Sequence, residues 1–171
     1  TIAKELARVA RLIETRSQFG AQRQIFFVSL GGFDTHNNQL ATQQTLFTQL
    51  APALRAFYDT TVELGVASQV TTFTASDFGR ALTANNDGTD HGWANCMIAL
   101  GGSLAKPVKP VLGEWPGLAL EKLHQQRDLL HTTDFRDVFA EVVVRHLGVA
   151  DAGPVFPGFT VDHRNFAGFL A

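Results

Sequence analysis

The segment Ile25-Phe-Phe-Val-Ser-Leu30 is a continuous apolar run that stops at Gly31-Gly32. A run of this kind suits a strand covered on both faces, as in a parallel sheet. It constrains the chain because a strand buried on two sides needs helices to cover it. The flanking segments have helical patterns. Residues 2–16 place Ile2, Leu6, Val9, Ala10, Leu12 and Ile13 mostly on one face, with Lys4, Glu5, Arg8, Arg11 and Glu14 over much of the remainder. Gly20 is the expected stop. From about Gln39 to Glu63, Leu46, Leu50, Leu54, Phe57 and Tyr58 recur at three- and four-residue steps. Pro52 predicts a kink or a split in that helix, because it removes a backbone donor.

Further along, Gln69-Val-Thr-Thr-Phe-Thr-Ala75 is rich in β-branched residues and predicts a second strand. A polar loop over Ser76–Gly92 follows. Cys96-Met-Ile-Ala-Leu100 is a third strand candidate, stopped by Gly101-Gly102. Pro107, Pro110 and Pro116 predict extended loop, and Leu118–Leu130 has room for a short helix. Thr132-Thr-Asp-Phe135 starts a helix that runs to His146 and buries Phe135, Val138, Phe139, Val142 and Val143. The tail from Gly153 to Ala171 has no clear periodicity. No repeat and no linker divides the chain, so a single domain over 1–171 is expected. Its 171 residues suffice for one sizeable core. Helix, strand, helix, strand, strand, helix is the order of an α/β fold with a layered, mostly parallel sheet flanked by helices.

Charge narrows the function classes. The net charge is −2 and Lys and Arg are scattered, so neither nucleic acid nor an anionic membrane surface is an expected partner. No apolar run approaches the roughly 18–20 residues of a membrane span. The single cysteine, Cys96, excludes an internal disulfide and a cysteine-rich zinc site. Within an apolar strand and without an activating neighbour it is expected to be inert. Thr1-Ile-Ala-Lys4 is neither a signal peptide nor a start with Met, so the chain is expected to be a fragment or a processed product.

In open α/β sheets ligands sit at the carboxyl ends of strands, which directs attention to Gly31–Asn38 and Ser76–Trp93. In extended backbone Asp34 and His36 point to the same side and could reach one metal. The alternative is a turn in which Asp34 caps the next helix and His36 is simply exposed. Asp77 stands where the second strand would end. Asp90-His91 is a second carboxylate–imidazole pair, flanked by glycines that permit close backbone approach. Two such clusters on strand-end loops point to a divalent metal, with two unliganded Asn/Asp/Gly turns as the alternative. Arg80 suits a phosphate or sulfate anion, or pairs with Asp87 or Asp90. Asp90 and Trp93 are pocket candidates, and Trp93 also fits a core role. His146 is read as a helix C-terminal histidine favoured by the dipole. His124, His131 and His163 are read as surface. No nucleophile elbow, phosphate-binding glycine loop or dinucleotide fingerprint is present.

Phe27-Val-Ser-Leu-Gly-Gly-Phe-Asp-Thr-His-Asn-Asn38, Ser76-Asp-Phe-Gly-Arg80, Gly88-Thr-Asp-His-Gly-Trp93 and Leu100-Gly-Gly102 together resemble the domain of unknown function 1501 family. Thr133-Asp-Phe-Arg-Asp137 with His146-Leu-Gly148 is similar to that family's C-terminal helix. The resemblance spans nearly the whole chain. It implies a bacterial, exported protein, periplasmic or secreted, with a fold related to alkaline phosphatases and sulfatases. It further implies that this chain is the C-terminal part of a longer protein. Enzymes of that superfamily hold divalent metals at strand ends and hydrolyse phosphate or sulfate esters. By this likeness Asp34, His36, Asp77 and His91 are the metal-ligand candidates, with Zn, Mn, Mg or Ca as the ion and a small-molecule or glycan ester as substrate. The superfamily's later Asp-His pair stands here as Asp77-Phe78, which predicts at most one tightly held metal. Its N-terminal Ser or Thr nucleophile has no counterpart in this chain. The other class of function is a non-catalytic exported protein that keeps the fold and binds a partner or a cell-envelope glycan.

Overall fold

A computed structural model of the chain describes residues 1–106 and 111–171. The loop expected at Pro107 and Pro110 lies outside the described residues. Two compact units are present: Thr1–Ala67 with Thr83–His91, and Ser68–Leu82 with Gly92–Ala171.

The first unit is built on helices. α1 (Ile2–Glu14) is followed by α2 (Arg16–Phe19), which ends at a left-handed Gly20 with φ 62°. The buried residues of α1 are Ile2, Leu6, Val9, Ala10 and Ile13, the stripe that helical spacing predicts, and Leu12 falls outside it. That stripe packs on α3 (Gln39–Glu63), whose buried positions include Leu46, Ala53 and Phe57. Burial of each large side chain contributes about 1.5–3 kcal/mol. Pro52 does not divide α3. It sits on the exposed side, so water satisfies the carbonyl it frees while the buried face stays intact.

The apolar run Ile25–Leu30 departs from expectation. It is extended but pairs with no strand among the described residues, and Ile25 and Phe27 are 82% and 91% exposed. Alternation and hydrophobicity mark a segment as able to form a strand; only a partner's backbone makes it one.

The second unit contains β1 (Thr71–Phe73) and β4 (Ala99–Gly101), antiparallel, with Thr71 opposite Gly101 and Phe73 opposite Ala99. The third strand is therefore shorter than the apolar run suggests. Cys96 precedes it and is exposed, not interior. The segment expected to be one polar loop folds instead as β2 (Gly79–Asn85) and β3 (Gly88–Gly92), joined by Asn86-Asp87 with Asn86 at φ 58°. Asn-Asp-Gly is a turn signal for a tight hairpin, because it tolerates positive φ. The paired strands are thus two-stranded and antiparallel; the mixture of helix and strand stands, and no parallel pair occurs among the described residues.

α4 (Phe135–Glu141) starts at Asp134, whose carboxylate accepts from the Arg136 N–H at 2.8 Å. It runs into a π-helical turn, Val142–His146, closed by Leu147 N–H on the Val142 carbonyl at 3.0 Å. Val142, Phe169 and Leu170 are buried together, with Phe73, Leu104 and Val138 against them. Glu141, fully buried, accepts from the Gly168 and Leu170 amides at 2.8 and 3.0 Å and so straps down the tail. The stretch Leu118–Leu130 holds only a 3-10 turn, Leu120–Lys122. No helix among the described residues is long and apolar enough to cross a membrane.

Candidate metal centre

The site lies in the first unit, where the loop after Ile25–Leu30 meets the tip of the β2–β3 hairpin. Thr35 is buried while Asp34 and His36 on either side of it are exposed. Exposure alternates over these three residues, and the two potential ligands turn the same way, His36 Nε2 reaching Asp34 as the chain bends toward α3. Phe33 anchors the loop by an edge contact with Phe47 of α3, ring centres 5.7 Å apart. The hairpin tip is held from two directions. The Gln39 N–H at the start of α3 donates to the Asp87 carbonyl at 3.0 Å. Gly88 lies so close to the His36 backbone that any Cβ there would overlap the His36 carbonyl. Glycine is required at that point, since only a residue without a side chain permits the approach.

These contacts bring Asp34, His36 and His91 together, with one potential ligand atom from each within 4.8 Å of the others. His36 Nε2 and His91 Nε2 each lie 2.8 Å from Asp34 Oδ1. The two imidazoles stack, ring centres 5.3 Å apart at 29°. Asp90 Oδ1 is 3.6 Å from Nδ1 of His36 and accepts from Asn85 Nδ2 at 3.2 Å. A carboxylate behind a histidine fixes its tautomer and turns the other nitrogen toward a metal. Two imidazoles and one carboxylate form a donor set suited to Zn, Mn or Fe. The side chains of Asp34, His36 and His91 are about half exposed, so the cluster is open to a ligand from solvent.

Of the remaining candidates, Asp77 is exposed and belongs to the second unit, and it is not one of the three converging donors. Arg80, also in the second unit, lies over the Phe78 ring with 5.1 Å to its centre. Trp93 is not in a core. It is 57% exposed, stacks on His124 at 5.0 Å, and donates from Nε1 to His131 Nδ1 at 2.8 Å. The pairing of Asp90 with His36 and the role of Asn85 were not read from the sequence. The Asn85-Asn-Asp-Gly88 turn is the signal for the hairpin, whose two-residue loop sets Asn85 opposite Gly88 and so Asn85 diagonally from Asp90; the contact with His36 has no such signal.

A mixed helix–strand chain with an exposed two-histidine, one-carboxylate cluster defines a candidate metalloprotein. Residues 3–158 match the model of a family described as "Protein of unknown function (DUF1501)", and the chain belongs to that family. No curated protein and no solved structure matches it.

Proposed function

We propose that the protein is a metal-dependent hydrolase of phosphate or sulfate esters, exported to the periplasm or beyond, and built on a layered alkaline phosphatase-like fold. The observation that carries this reading is the convergence of Asp34, His36 and His91 on one point. The order and spacing of the loop motifs support the fold. Among Zn, Mn, Mg and Ca, a nitrogen-rich set favours Zn and Mn, because Mg and Ca prefer oxygen cages. His36 and His91 would hold the ion and Asp34 would offset its charge. Asp90, 3.6 Å from His36 Nδ1, attracts that side of the ring and favours Nε2 facing Asp34, and Asn85 steadies Asp90. Three protein donors leave room for substrate. A bound divalent ion supplies Lewis-acid polarisation of an ester oxygen and activates water near neutral pH.

Trp93 favours a second reading. An exposed, flat indole braced by two histidines suits stacking on a sugar ring, as a non-catalytic glycan-binding protein requires.

Calorimetric titration with Zn2+ and Mn2+, followed by assay on aryl phosphate and aryl sulfate, separates the two. One equivalent of metal is expected, weakened about 100-fold by His91→Ala and about 10–100-fold by Asp90→Asn. Metal binding without turnover of either ester class removes the hydrolase and leaves the glycan reading. Absence of binding, or binding indifferent to His91→Ala, removes the metal centre.

A further inference from the structure

The second unit contains a chain of hydrogen bonds that the metal centre does not use. Thr71 Oγ1 lies 2.9 Å from Ser103 Oγ and 3.0 Å from His146 Nδ1. The His146 ring also meets the backbone carbonyl of Gln69, and burial holds its pKa below the ordinary imidazole value, so the neutral form is favoured. A neutral imidazole keeps one lone pair.

Three elements make this arrangement. The register of β1 and β4 sets Thr71 opposite Gly101, and Ser103 follows two residues later across Gly102. His146 closes the π-turn after α4. In a π-turn residues five apart share a face, so His146 lies on the side of the fully buried Glu141. Such turns recur at functional sites.

We propose that Ser103 is a nucleophile toward small carboxylic esters, activated by a proton relay through Thr71 to His146 Nδ1. Ser103 Oγ bonds to the ester carbonyl carbon while its proton passes to Thr71 Oγ1 and the Thr71 proton passes to His146. The carbonyl π electrons move onto oxygen, then return and expel the alkoxide, which takes the proton back through the relay and leaves as alcohol. Water removes the acyl group from Ser103 by the same route. Phe73 shares the inward face of β1 with Thr71, and Leu104 adjoins Ser103. These apolar neighbours suit a neutral carbonyl and would leave a phosphate dianion poorly solvated.

The probe is p-nitrophenyl acetate. A stoichiometric burst of p-nitrophenolate is expected, with the acetyl group found on Ser103 by peptide mass spectrometry. His146→Gln and Thr71→Val lower the burst rate about 100-fold or more, the usual contribution of a positioned base. Thr71→Ser keeps the hydroxyl and stays close to the wild-type rate, so a loss confined to Thr71→Val reports the relay and not the fold. A chelator leaves the burst unchanged, which separates this site from Asp34, His36 and His91. Acetylation of lysines only, or of Ser103 at a rate indifferent to His146→Gln, overturns the proposal.

Discussion

Asp137 is only 5% exposed, and its Oδ1 has no hydrogen-bond partner among the described residues. Burial, and then the carboxylates of Asp134 and Asp162, hold its pKa above the ordinary value of 3.8, with Arg136 opposing. The folded state therefore binds this proton more tightly than the unfolded state does. Stability falls as pH rises through the window between 3.8 and the raised value, and stays lower above it. Asp137→Asn removes the repulsion. It is expected to raise Tm at pH 7 by about 2–4 °C, which is about 1 kcal/mol for a domain of this size, with the gain vanishing below the unfolded value. Thermal melts across pH check this; a gain that persists in strong acid would contradict it. Asp137 looks like any helix-surface acid in the sequence. The closeness of Asp34 and His36 was legible from their two-residue spacing, although the chain bends at His36 and is not a strand there. His36 with Asp90 was not, because that contact depends on where a hairpin tip comes to rest.

The C-terminal tail is held by an element, not by its own propensity. α4 and its π-turn present Glu141 to two tail amides, and Arg145 donates to the Leu170 carbonyl at 2.7 Å. Hydrogen bonds to a charged acceptor are worth about 1.5–3 kcal/mol each. Glu141→Ala is expected to speed amide exchange at Gly168 and Leu170 by on the order of 100-fold, about 2.7 kcal/mol, and to leave α1 protection unchanged. Unchanged exchange at both tail amides would show that Arg145 and the apolar contacts suffice. At this scale periodicity placed the helices and, in α1, the buried face; in α4 the expected apolar face was wrong, since Phe135 is 58% exposed and Asp137, Ala140 and Glu141 are the buried positions. Strand lengths were less legible, since β1 and β4 end where pairing ends and not where hydrophobicity does. The β2–β3 hairpin was hidden by polar composition, although its turn residues carried the signal.

For the whole molecule, the alternation of helical and strand-like segments was readable, while the sheet was not. A parallel layer depends on which backbones meet, and a single chain's pattern does not name the partners. Ile25–Leu30 shows this most directly, with Phe27 91% exposed. An uncharged extended segment of this kind is a template for association between chains. Phe27→Lys is expected to raise the solubility limit of the isolated chain and to change unfolding stability by less than about 0.5 kcal/mol. Solubility by ultracentrifugation and a urea melt test the two halves; a large loss of stability would show that the ring is covered in solution.

The cap at the start of α3 has a consequence beyond the helix. Asn38 there is left-handed and makes no side-chain cap bond, and the Gln39 N–H is satisfied by the Asp87 carbonyl of the hairpin turn. The helix start is thus capped by a segment far along the chain, a contact that closes a long loop at an entropic cost. That same hairpin carries His91 to Asp34, 57 residues away in sequence. One hairpin turn thus serves both the start of α3 and the cluster of Asp34 and His91, so a change that displaces the turn disturbs the two together.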